Sequence, residues 1–130
     1  MNTRETIILV TGADGFVGTH VCRALTKHYT VYAFMLPSQV DVFKTKWGSL
    51  DYKHLKILSG TFKELGQLTQ SLAPIQYVVH CAGTMLGAKY DSYLESNLVV
   101  TQELLAQLPK NLKKIIFLSS QSALGPSDSE

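Results

Sequence analysis

The sequence predicts a three-layer α/β domain built on a doubly wound parallel sheet, with strand order 3-2-1-4-5. Three observations carry this. Five short apolar runs, rich in β-branched residues, recur along the 130 residues and read as strands buried on both faces. Segments of helical period separate them, and right-handed crossovers then make the strands parallel. The first run also breaks at a glycine and restarts with helical spacing, a strand–turn–helix unit. The length suits one domain, and the 45% apolar share supports a real core.

The first strand is Thr6-Ile7-Ile8-Leu9-Val10-Thr11. The first helix is expected from about Gly15 to His28, with Val17, Val21, Ala24 and Leu25 on its inner face. Thr30 to Met35 is the second strand, stopped by Pro37. Ser38 is the expected N-cap of a short helix whose inner face is Val40, Phe43, Trp47 and Leu50. Leu55 to Leu58 is the third strand. Thr61 with Glu64 fits a capping box before a helix marked by Leu65, Leu68 and Leu72. Ile75 to Ala82 is the fourth strand, ending at Gly83. A long helix follows, with Tyr90, Tyr93, Leu94, Asn97, Leu98, Thr101, Leu104, Leu105 and Leu108 in phase, and Pro109 ends it. Lys114 to Leu118 is the fifth strand and runs into Ser119 and Ser120.

The net charge of +2 is too small to argue for nucleic acid or a membrane surface. Lys110, Lys113 and Lys114 cluster without interleaved aromatics and read as a solvated loop. Cys22 and Cys81, with no C-x-x-C and no histidine at ligand spacing, read as buried thiols in a reducing compartment rather than as metal ligands. With no signal-like apolar segment and no run long enough to span a bilayer, a cytoplasmic protein is expected.

The chemistry centres on Thr11-Gly12-Ala13-Asp14-Gly15-Phe16-Val17-Gly18. Gly12 allows a sharp turn off the strand. Gly15 sits where a pyrophosphate would approach the backbone, and Gly18 lets the helix lie close to the strand. The free N–H groups and dipole of the helix N-terminus would face the phosphates. Glycines that merely shape a turn are the plainer alternative; the strand before and helix after favour the phosphate reading. Ala82, Gly83, Ser119 and Ser120 converge on the same end of the sheet, at the switch point between strands 1 and 4.

This T-G-x-x-G-x-x-G turn, Val79-His80-Cys81-Ala82-Gly83, Asn97 and Ser119-Ser120-Gln121-Ser122-Ala123-Leu124-Gly125-Pro126 together resemble the extended short-chain dehydrogenase/reductase family, in its NAD(P)-dependent epimerase/dehydratase branch. The resemblance covers nearly the whole chain and implies a Rossmann domain that binds NAD or NADP. It implies cofactor contacts from Gly12, Ala13, Asp14, Gly15, Phe16, Val17, Gly18, Met35, Leu36, Cys81, Ala82, Gly83 and Ser119. Ser120 matches the active-site serine, which in the family holds a substrate oxygen beside the acid/base Tyr of a Tyr-x-x-x-Lys helix.

Three departures stand out. Met35 and Leu36 occupy the second-strand end, where the family places an acid for NAD or a base for NADP, so the choice stays open. Thr61 replaces an aspartate expected near the adenine. No Tyr-x-x-x-Lys follows Ser120, and Tyr52 to Lys56 matches it by spelling alone.

The expected chain is therefore the N-terminal cofactor-binding portion, residues 1–130, of an enzyme acting by hydride transfer at a secondary alcohol, with a nucleotide-linked sugar as substrate. A steroid- or flavonoid-type reductase of the same family, or a non-catalytic dinucleotide-binding module, are the alternatives. These residues alone should be inert: Ser120 cannot move the proton at neutral pH without its base. Substrate-dependent NAD(P)H formation by the purified chain would contradict this. Apolar strands 4 and 5, left partly uncovered, predict self-association.

Overall fold

Strand β1 (Ile7–Thr11) is buried along its whole length, which requires cover on both faces and a paired strand on both edges. The computed structural model describes residues 3–48, 52–82 and 94–118 and provides both. β2 (Thr30–Met35), β3 (Leu55–Ser59), β4 (Tyr77–His80) and β5 (Lys114–Phe117) join β1 in one parallel sheet, ordered β3-β2-β1-β4-β5 as predicted. The register sets Thr11 beside Phe34 on one side and His80 on the other, and His80 beside Phe117.

Strand alternation sorts the apolar residues into two cores. Ile8, Val10, Val31, Ala33, Met35 and Val79 face α1 (Phe16–Leu25) and α2 (Val40–Trp47), which contribute Cys22, Phe43 and Trp47. Ile7, Leu9, Tyr32, Phe34 and Val78 face α3 (Leu65–Thr69) and α4 (Val100–Gln107), which contribute Leu65 and Leu104. A wide π-type turn, Leu94–Val99, leads into α4.

Several local expectations are corrected. α1 ends at Leu25, not His28, and it is rotated: Gly18, Thr19 and Cys22 are buried, while Val17 and Ala24 are exposed. Close approach of the helix to the turn admits only small residues on the inner side, so the bulkier Val17 faces out. Ser38 is not a helix cap. It lies inside a 3-10 turn, Pro37–Gln39, and α2 opens at Val40 without a side-chain cap. Phe43 and Trp47 are buried as expected and stack with centroids 5.6 Å apart; Leu50 lies outside the described residues. β4 is shorter than the predicted Ile75–Ala82 run, though Ile75 is buried. In the last helix Leu104 is buried but Leu98 and Leu105 are exposed; Tyr90 and Tyr93 fall outside the described residues. The capping box at Thr61 and Glu64 is present, and the two hydrogen bonds from Thr61, backbone first, hold the Glu64 carboxyl below its ordinary range.

Candidate functional site

The three glycines of the turn have separable roles. Gly12 has φ +61°, and a Cβ there would fall 2.7 Å from the backbone N and Cα of Ala82. A Cβ at Gly18 would fall 2.1 Å from the Gly12 carbonyl oxygen, so Gly18 brings the helix against the turn itself rather than against the strand. Gly15 is different. It adopts ordinary extended angles (φ −73°, ψ 174°), and a Cβ there would meet only the Gly12 carbonyl oxygen, at 3.4 Å. Gly12 and Gly18 are thus required by the chain's own packing, and Gly15 leaves open space in front of the helix.

That space faces the first turn of α1. Gly15 is the N-cap and has no side chain to satisfy the N–H groups of Phe16, Val17 and Gly18, which lack intrahelical acceptors by construction. The turn is braced from behind. The Ala13 N–H donates to the Phe34 carbonyl (3.3 Å), and the buried Thr19 hydroxyl donates to the Ala13 carbonyl (2.9 Å). Lys46 Nζ donates to the Asp14 carbonyl (2.7 Å). Phe16 and Val17 are exposed and rim the opening. Such a set of backbone donors at a helix N-terminus suits an anion of phosphate type.

Beside the turn lie the ends of β2 and β4. Met35 is buried in the core and so presents no polar group to a ligand; Leu36 is exposed and uncharged. Ala82 and Cys81 are half-buried next to Gly12. The Cys22 thiol is pushed up to about 12 by burial and, secondarily, by the Cys81 thiol, and burial pushes Cys81 up to about 11. Both are free, and both are neutral at pH 7. Alkylation of Cys22 by iodoacetamide should be at least about a hundredfold slower in the native protein than in denaturant, because only the thiolate reacts. Equal rates would show an accessible, nucleophilic thiol instead. Gly83, Ser119 and Ser120 lie outside the described residues.

Three polar side chains that are not among the expected cofactor contacts meet here. Thr11, His80 and Thr101 form a chain of hydrogen bonds at the strand ends: Thr11 Oγ1 to His80 Nδ1 (2.5 Å), and His80 Nε2 to Thr101 Oγ1 (3.1 Å). A polar residue closing an otherwise apolar strand was the available signal for Thr11 and His80. Thr101 carried only its place four residues after Asn97. Among the described residues no group of His, Cys, Asp or Glu could hold a metal ion, and no helix is long and apolar enough to cross a membrane. A shallow depression of about 480 Å³ along edge strand β3 holds Tyr52 and Lys56. The β1 and β2 strands separate it from β4, so this pair does not reach the site.

The same fold recurs in solved structures. A uronate dehydrogenase mutant from Agrobacterium tumefaciens, complexed with NAD, superposes with TM-score 0.63 and 17% identity, over 88% of this chain and 41% of that one. A short-chain dehydrogenase/reductase from Brucella melitensis gives 0.72 and 16%, over 97% and 59%. The thiolation-reductase di-domain of an archaeal non-ribosomal peptide synthetase gives 0.74 and 21%, over 95% and 30%. These likenesses establish the fold, and the chain spans between 30% and 59% of their lengths. No curated protein matches the sequence. The family comparison matches residues 8–130, from the second residue of β1 onward. The glycine turn, β2 to β5 and all of β1 but Ile7 fall inside that match, and on it the chain belongs to the NAD-dependent epimerase/dehydratase family.

Proposed function

We propose that the chain is the dinucleotide-binding portion of an oxidoreductase or epimerase that transfers hydride at a secondary alcohol, with a nucleotide-linked sugar as substrate. One observation carries the binding reading: between two glycines locked by backbone contact, Gly15 keeps an open approach to the first-turn N–H groups of α1, which no capping side chain covers. The residues present fit the group. The N–H groups of Phe16, Val17 and Gly18 would hold the pyrophosphate, Ala13 and Asp14 would flank the adenosine side, and Cys81, Ala82 and Gly83 would border the nicotinamide side. A bound nicotinamide supplies the hydride donor or acceptor.

The chain's own residues bind, orient and exclude water. The end of β2 offers neither a carboxylate for a ribose 2′-hydroxyl nor a cation for a 2′-phosphate, so the proposal covers NAD and NADP alike. Ser120 is proposed to hold the substrate oxygen. Family membership supports the hydride chemistry, and the sugar rests on the sequence resemblance. A cytoplasmic location, and self-association through the exposed β5, belong to the same proposal.

Calorimetric titration of the full chain with NADH and NADPH tests this. Binding of either, competed by ADP or by 2′,5′-ADP, is the expected result. No heat with either cofactor at millimolar concentration would overturn it.

A further inference from the structure

We propose that His80 is a positioning residue: held as the neutral Nε2–H tautomer, it locks the Asn97 turn to the Cys81–Ala82 backbone on which the glycine turn rests. The proposal rests on the dinucleotide reading above and adds a residue to it.

The hydrogen-bond directions follow from which atoms carry protons. Thr11 Oγ1 accepts the backbone N–H of Cys81 (3.1 Å) and of Ala82 (3.3 Å). Its two lone pairs are then occupied, and its one proton is left to donate to His80 Nδ1, 2.5 Å away. At the other end, the Thr101 hydroxyl donates to the Asn97 carbonyl (2.5 Å), since a carbonyl can only accept. Thr101 Oγ1 is therefore an acceptor toward the ring, and His80 Nε2 carries the proton across the 3.1 Å contact. Each hydroxyl proton and both ring nitrogens are used once, and only the neutral Nε2–H ring fits this pattern. A second ring proton at Nδ1 would face an oxygen already holding two N–H groups and would displace the Thr11 hydroxyl proton.

The surroundings favour the same form. His80 is 2% exposed. Its ring lies between Phe62 (centroids 6.0 Å) and Phe117 (5.2 Å), and burial lowers its pKa below the ordinary histidine value. The groups facing it from β1, β5, α4 and the 3-10 turn Phe62–Glu64 are Thr11, Phe117, Thr101 and Phe62, all uncharged. The Lys63–Glu103 ion pair (3.6 Å) joins two of those elements on neighbouring residues, and the Cys81 thiol follows in the chain.

The consequence is mechanical. Ala82 is the backbone that Gly12 touches, so one end of the chain sets the seat of the glycine turn. The other end pins the carbonyl of Asn97 within the π-type turn, a geometry that leaves helical carbonyls displaced from their usual partners. His80 keeps these two pieces in one register from opposite sides of the strand ends. It acts through Cys81 and Ala82 on the proposed nicotinamide side, while the start of α1 keeps its own braces, from Ala13 N–H to the Phe34 carbonyl and from the Thr19 hydroxyl to the Ala13 carbonyl.

Two measurements on the full chain test this. Long-range ¹H–¹⁵N spectra should show His80 as the Nε2–H tautomer, still neutral below the pH at which an ordinary histidine takes up its second proton. An Nδ1–H ring, or protonation in the ordinary histidine range, would overturn the proposal. Titrations then compare NADH with ADP, which lacks the nicotinamide half, with NADPH and 2′,5′-ADP as a parallel pair. His80→Ala should weaken the dinucleotide about tenfold and leave the adenine nucleotide within about twofold. His80→Asn, which keeps an acceptor for Thr11, should recover most of the loss. Thr101→Val, which breaks only the Asn97 arm, should show the same selectivity and serves if His80→Ala does not fold. Equal losses for both ligands, or no loss in a folded variant, would refute the positioning role and leave the dinucleotide reading standing. A wild-type chain that binds none of the four ligands would remove that reading and this proposal with it.

Discussion

Gly15→Val should abolish dinucleotide binding while the protein stays folded, and Gly18→Ala should instead destabilise the fold. Valine at position 15 meets no backbone closer than 3.4 Å, and the residue's φ of −73° is open to any side chain. Its stability cost is that of a poor N-cap, about 1 kcal/mol. Two added methyl groups stand where the pyrophosphate must approach, and the loss of affinity should be at least about a hundredfold, or about 2.7 kcal/mol. Alanine at position 18 would place its methyl 2.1 Å from the Gly12 carbonyl oxygen, a backbone atom that cannot swing aside. That overpacking should cost about 3 kcal/mol and lower the melting temperature by roughly 10 °C. Calorimetry and thermal melting of the two variants decide the matter. Equal cofactor binding by Gly15→Val and wild type would remove the phosphate site, and an unshifted melting curve for Gly18→Ala would contradict the turn geometry.

The second large effect concerns β5. Ile116, Phe117 and Leu118 are 51%, 54% and 41% exposed, and β5 is the edge of the sheet among the described residues. Unpaired N–H and C=O groups beside exposed apolar side chains form a template for a second copy. Burying the remaining surface of three such side chains should contribute on the order of 3 kcal/mol per chain. The sedimenting mass of this chain should therefore rise across a dilution series, and Ile116→Lys should return it to the monomer mass. A wild-type chain that sediments as a monomer at every concentration, with a high melting temperature, would sink the idea.

What the residues determine locally was legible without coordinates. Five apolar runs and a glycine turn after the first specify a parallel sheet and its switch point, although burial on both faces holds for β1, β2 and β4 and not for the edge strands β3 and β5. The capping box at Thr61 and Glu64 was legible for the same reason, since its partners are three residues apart. The rotation of α1 was not. Hydrophobic period assigned Val17 inward, but the helix is held so close to Gly12 that only Gly18, Thr19 and Cys22 fit beneath it. Ser38 had the chemistry of a cap and lost it to the 3-10 turn that Pro37 starts. The Thr11–His80–Thr101 chain lay furthest from reach. Thr11 and His80 are 69 residues apart, and His80 and Thr101 are 21 apart. Period and propensity describe neighbours along the chain, whereas a buried histidine's partners, and so its proton, are set by whichever strands and helices the tertiary fold brings to its two nitrogens.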